Sequence, residues 1–401
     1  MANKKNADSK LQGISRLITD ATIGVTDLVE SMHKRVVHPP FLPSTPIQHL
    51  ITNISGIAYK NMRWSTRRIG SLVDIALGKF VSVSGKIKST EERDVLQSVL
   101  NGIIGDYLEK TKNPLCITMQ FRNEGKAIPL DKKSITKAYP VIHGKIILMV
   151  HGSCMNAMQW TRKEHNHGKV FAEDLEKTPI YIQYNSGLHI STNGQKFNEL
   201  LEELVLHWPV PVEELIIIAH SMGGLVSRSA IHYGQQQKKA WTKQLKKIVF
   251  LGTPHHGAPL EKAGNYLDVI LEAVPYAKPF ARLGKIRSAG VTDLRYGNLL
   301  DTDWQNRDRF EMQKDQRQHV PLPKKVDCYS IAAVAGKNNK SGIPKLLGDH
   351  MVGVKSALGQ HKNPEKNLNF KKENIWIVFE SNHLDLLSNP KIYSKIKAWI
   401  A

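Results

Sequence analysis

Ser221 stands where an apolar run, Ile216-Ile217-Ile218-Ala219-His220, meets a helix-forming one, Met222-Gly223-Gly224-Leu225-Val226. A serine on so sharp a strand-to-helix turn needs very small residues two positions to either side, because the backbone doubles back on itself there. Ala219 and Gly223 meet that need; the usual residue at both places is glycine, so Ala219 adds one methyl group. The turn presents the hydroxyl, and the first amides of the following helix point at negative charge as it develops. Ser221 is the candidate nucleophile. The chemistry open to it is attack on a carbonyl carbon.

A hydroxyl of ordinary acidity needs a base, and the base needs a carboxylate to orient it. On a parallel sheet that carries such a turn, the acid and then the histidine follow the serine at the ends of later strands. Asp349, in Gly348-Asp349-His350-Met351-Val352, follows the apolar run 326–334. His383, in Ser381-Asn382-His383-Leu384-Asp385, follows the last such run and precedes the C-terminal helix. Asp385 and Asp327 are rival acids: the first is too near His383 in sequence to reach its ring easily, and the second opens a strand. Two backbone N–H groups must receive the oxyanion. Met222 is expected to supply one and Ser153, in the turn His151-Gly152-Ser153-Cys154-Met155, the other, with Cys154 as second choice.

These residues need a frame that holds distant parts of the chain together. Near-continuous apolar runs at 145–150, 180–184 and 215–219 read as strands buried on both faces, and further runs lie at 247–251, 326–334 and 374–380. A helix bearing Phe197, Leu200, Leu201, Leu204 and Val205 lies between the second and third, and a helix with Ile392, Ile396, Trp399 and Ile400 ends the chain. Strand and helix in alternation imply a mostly parallel, doubly wound α/β sheet. Runs at 115–121 and 126–130, around Asn123-Glu124-Gly125, read as a hairpin. Residues 259–325 lack strand signals and read as a cap or lid insertion. Before residue 114 the texture is helical, with apolar stripes over 14–36, 47–58, 69–80 and 95–104. The reading is therefore a helical N-terminal region, 1–113, followed by a catalytic domain, 114–401.

Three motifs, Ala-His-Ser-Met-Gly-Gly at 219–224, Gly-Thr-Pro-His-His-Gly at 252–257 and Asn-His-Leu-Asp-Leu-Leu at 382–387, resemble the α/β-hydrolase superfamily. They are similar to bacterial lipases and esterases and to the GPI-inositol-deacylase-like branch, over roughly residues 114–401. The resemblance implies the α/β-hydrolase fold and hydrolysis of lipid-like esters by Ser221, Asp349 and His383 without a cofactor. His255 and His256 are expected to pack beneath the rim of the site. An acyltransferase with the same triad, or a non-catalytic binding protein on the same fold, are the rival classes.

Lysine and arginine number 56 against 36 acidic residues, an excess of 20 charges. Such a balance favours polyanions, yet no nucleic-acid-binding signature accompanies it. The basic stretch 59–68, with Arg63, Trp64, Arg67 and Arg68 before an amphipathic run, could rest on an anionic membrane from the cytoplasmic side. The competing expectation is that the four apolar stripes pack on one another and on the catalytic domain. Three widely spaced cysteines, Cys116, Cys154 and Cys328, form no disulfide framework. No segment reaches the length of apolar residues that spans a bilayer, so the expected location is the cytosol. His165-Asn166-His167 is too isolated to argue a metal site, and oligomeric state is not legible.

Overall fold

The computed structural model describes residues 90–258, 288–307, 315–337, 348–349 and 351–401. The apolar stripes at 14–36, 47–58 and 69–80, the basic stretch 59–68 and most of the 259–325 insertion lie outside them. The chain forms two compact units, residues 1–89 with 108–116, and residues 90–107 with 117–401. Of the first unit the structure describes Leu108–Cys116, a helix end and a turn. There Asn113 N–H donates to the Leu108 carbonyl, and Asn113 Oδ1 accepts from Leu115 N–H, each at 2.9 Å.

Helix α1 covers Thr90–Lys110, and its residues up to Tyr107 belong to the second unit. Val99, Leu100, Ile103 and Ile104 are buried, as their helical spacing predicts. Ile104 leaves helical geometry (φ −136°, ψ 24°), and the Gly105 carbonyl accepts from Asn185 Nδ2 at 2.9 Å. The hairpin follows as β1 (Gln120–Asn123) and β2 (Lys126–Ala127). Its two linking residues, Glu124 and Gly125, both have positive φ, the geometry of a type I′ turn that matches the twist of paired strands.

After α2 (Lys132–Ala138) come β3 (Lys145–Val150), a small separate pair β4 (Thr161–Arg162) and β5 (His165–Asn166), α3 (His167–Leu175) and β6 (Thr178–Gln183). The chain continues through α4 (Ile190–His207), β7 (Glu214–His220), α5 (Met222–Gln236), α6 (Trp241–Gln244) and β8 (Leu245–Leu251). Its last described elements are α7 (Ala289–Asp293), β9 (Asp327–Val334), α8 (Val354–Ala357), β10 (Ile375–Phe379) and α9 (Pro390–Ile400).

Among the described residues eight strands form the main sheet, in the order β10-β9-β8-β7-β3-β6-β1-β2. The six strands from β10 to β6 are parallel, and the hairpin closes one edge antiparallel. Side chains alternate between the two faces. Ile147, Met149, Ile216, Ile218, Val249 and Leu251 turn to the face covered by Phe171 of α3 and Ile392, Ile396 and Ile400 of α9. Helix α5 packs against β7 and β3 and lies beside α4. Such a layout buries the central strands on both faces, which is why they read as unbroken apolar runs. This is the mostly parallel, doubly wound sheet that the alternation of strand and helix predicts, and the α/β-hydrolase fold that the motif resemblance implies.

Asn198, fully buried on α4, ties the helical layer together. Its Oδ1 accepts from Trp241 Nε1 and its Nδ2 donates to Gln237 Oε1, each at 2.8 Å. Asn198→Ala leaves the buried Trp241 N–H without its acceptor and is expected to lower stability by roughly 1 to 3 kcal/mol. The shift in urea midpoint, with the slope of the transition unchanged, checks it.

Candidate active site

Ser221 leaves β7 and enters α5 with φ 53° and ψ −125°, a positive φ that a side-chain-bearing residue adopts only under strain. Its N–H extends the β7–β8 ladder to the Leu251 carbonyl at 2.8 Å. Gly223 permits the turn in a specific way. A β-carbon there would come within 2.5 Å of the His151 carbonyl oxygen and 2.6 Å of that of Val150, both backbone atoms that cannot yield. The absent side chain lets the Ser221 turn close onto the end of β3. At position 219, the methyl group of alanine is accommodated, fully buried.

That closure brings the loop after β3 to the serine. A β-carbon on Gly152 would lie 3.0 Å from Ser221 Cβ. The loop is braced from behind: Tyr184 donates its hydroxyl hydrogen to the His151 carbonyl at 2.8 Å, and its ring stacks on His151 with centroids 4.2 Å apart. Burial pushes the His151 imidazole down to about 4, so the ring is neutral near pH 7. Cys154 sits at positive φ and commits its N–H to Ser186 Oγ at 3.0 Å. Outside the helix and strand ladders, neither the Ser153 nor the Met222 N–H bonds to a backbone carbonyl among the described residues. Burial also raises the Cys154 thiol to about 12, which keeps it protonated and no rival to the serine.

Asp349 and His383 meet from the ends of β9 and β10. His383 Nδ1 lies 2.6 Å from Asp349 Oδ2, and both side chains are buried. The other carboxylate oxygen, Oδ1, accepts from Met351 N–H at 3.0 Å and Val352 N–H at 2.8 Å, so the carboxylate is held at both ends. A carboxylate only accepts, so Nδ1 carries a proton, and in the neutral ring Nε2 then holds the lone pair. His383 Nε2 and Ser221 Oγ are buried, and neither has a hydrogen-bond partner.

The rival acids are engaged elsewhere. Asp385 accepts from the Asn382 N–H and pairs with Lys163 at 3.1 Å. Asp327 is exposed beside Lys371. His255 is fully buried against Phe250, and His256 donates from Nε2 to the Gly359 carbonyl at 3.0 Å, the structural roles expected of both. Two further histidines reach the His383 loop, and sequence reasoning missed them: His220 touches the His383 carbonyl and His167 the Leu386 carbonyl, each at 3.1 Å. His220 reads only as the residue between Ala219 and Ser221, and His167 only as half of an isolated histidine pair. No group of three metal-ligating side chains occurs among the described residues, and no described helix is long and apolar enough to cross a membrane.

Residues 141–320 match a family model described as the PGAP1-like alpha/beta domain. Among solved structures, the mature lipase of Bacillus licheniformis aligns at 16% identity over 70% of this chain and 97% of its own, with a TM-score of 0.42. An esterase of Pyrococcus furiosus aligns at 13% identity over 64% of this chain and 80% of its own (TM-score 0.38). An alpha/beta hydrolase fold protein of Chitinophaga pinensis aligns at 12% identity over 65% and 90% (TM-score 0.36). No curated protein matches the chain. With its sheet order and the match over residues 141–320, the chain has the α/β-hydrolase fold and resembles the PGAP1-like branch of that superfamily.

Proposed function

We propose that this protein is a serine hydrolase that cleaves carboxylic esters, with a lipid-like acyl ester as substrate. The observation that carries the reading is the buried His383–Asp349 pair, 2.6 Å apart, whose free Nε2 accompanies an unpartnered Ser221 hydroxyl on a strained turn. Two buried polar atoms without partners are costly in a finished core and useful where a substrate completes the hydrogen bonds.

In this mechanism Ser221 Oγ attacks the ester carbonyl carbon and His383 Nε2 takes its proton. Asp349 holds the imidazole in the right tautomer and stabilises the cation that forms. The Ser153 and Met222 amides receive the oxyanion, helped by the N-terminal end of α5. As the tetrahedral intermediate collapses, His383 returns the proton to the departing alkoxide, which leaves as an alcohol. Water, deprotonated by the same imidazole, then attacks the acyl-Ser221 ester, and as the acyl–oxygen bond breaks His383 returns that proton to Ser221 Oγ and the acid leaves. No cofactor enters the reaction.

p-Nitrophenyl esters from C2 to C16 test the proposal, and the dependence on chain length separates an esterase from a lipase. Ser221→Ala is expected to lower kcat by about 10⁶-fold with the fold intact; a variant that keeps a tenth of the activity contradicts the assignment. Asp349→Asn should lose about 10⁴-fold, because asparagine favours the wrong imidazole tautomer. Asp385→Asn should keep most of its turnover. The reverse order of these two would move the acid to Asp385.

A further inference from the structure

The loop that carries His383, residues 381–387, is short, and part of its hydrogen bonding is internal. Asn382 Oδ1 accepts from the Leu384 and Asp385 N–H groups, and Asp385 Oδ2 accepts from the Asn382 N–H. These bonds shape the loop without fixing where it stands over the sheet. Among the described residues, five attachments tie it to distant parts of the chain: Ser381 N–H to the Val334 carbonyl, Lys163 to Asp385, His383 to Asp349, and two made by buried imidazoles.

His220 ends β7, directly before the nucleophile. Its Nε2 lies 3.1 Å from the His383 carbonyl oxygen, and its ring lies against the His383 ring with centroids 4.6 Å apart. Trp160 closes the other side, edge-on at 6.5 Å. His167 opens α3. Its Nε2 lies 3.1 Å from the Leu386 carbonyl oxygen, and its ring lies beside those of Phe171 and Tyr393, with centroids 6.0 Å from each. A carbonyl only accepts, so both rings donate from Nε2. His167 Nδ1 is then an acceptor, and it takes the Nε2–H of His165 at 2.7 Å. Burial is the main reason both rings stay neutral: it holds His220 well below the usual histidine range and His167 at about 3.

We infer that His220 is a positioning residue for the catalytic histidine: as a neutral Nε2–H donor on the nucleophile's own strand, it fixes the His383 backbone relative to Ser221, with His167 as a second anchor at Leu386. The inference rests on the serine-hydrolase reading above. Its physical point is registry. His220 and Ser221 are consecutive, so a hydrogen bond from one to the His383 carbonyl ties the base to the nucleophile through a single peptide unit. Proton transfer between Oγ and Nε2 depends on that separation, and an error near 1 Å costs on the order of 10²-fold.

The test uses the full-length protein and three variants, with kcat and KM on a soluble p-nitrophenyl ester and the rate of labelling by a fluorophosphonate. His220→Gln keeps an N–H donor at comparable reach and is expected to stay within about fivefold of wild type. His220→Leu removes the donor, and His220→Asn shortens its reach. Both are expected to lower kcat and the labelling rate roughly 10- to 100-fold with KM nearly unchanged. Should the leucine variant fail to fold, the asparagine–glutamine pair still decides, because both are polar and differ mainly in length. Equal rates for asparagine and glutamine variants, or a folded leucine variant with wild-type kcat, overturn the inference. A folded wild type that neither turns over ester nor labels overturns the serine-hydrolase reading, and this one with it.

Discussion

The arrangement depends on the backbone of one turn. Ser221 sits at φ 53° between a central parallel strand and the helix that follows it, and residue 223 must be glycine for that helix to press onto the end of β3. Strain of this kind costs on the order of 1 to 3 kcal/mol and persists only where the surroundings over-determine it. Here they do. The Ser221 N–H is bonded to β8, Ala219 is buried in the sheet, and the β3 loop closes from the far side, held by the Tyr184 hydroxyl. The sheet stores the strain because its strands are buried on both faces and cannot slide without losing their whole apolar contact.

Around that turn the site works by excluding water from several histidines. His151, His167 and His220 are neutral because they are buried, and each serves as a hydrogen-bonding strut. His383 differs in its partner: it faces a carboxylate, Asp349, held by two backbone amides. A buried carboxylate of that kind can stabilise an imidazolium, while a carbonyl can only orient a neutral ring. The contrast between a carboxylate and a carbonyl at 2.6 and 3.1 Å separates the proposed base from its supports.

Much of this was legible in the residues. The unbroken apolar runs at 145–150, 215–219 and 326–334 fall within one residue of the strand bounds, because a strand buried on both faces has no polar alternation to blur it. Ser221, Asp349 and His383 come in an order the architecture imposes. The first edge strand was less legible. The stretch 115–121 reads as strand by composition, yet β1 begins at Gln120, since the Ile117 N–H is taken by the Asn101 side chain instead of a neighbouring strand. His220 and His167 could not be read at all, since their partners lie 163 and 219 residues away, and no local pattern encodes a bond over such separations. The bond from the Cys154 N–H to Ser186 Oγ, 32 residues downstream, was likewise not legible in the sequence.

The central claim is that Ser221 is a nucleophile activated by His383. Covalent labelling with a fluorophosphonate, followed by digestion and mass spectrometry of the peptides, tests it most directly. The account predicts a single adduct on Ser221 that disappears when the protein is unfolded before labelling. An adduct on any other residue, or a folded protein that takes no label, would contradict it.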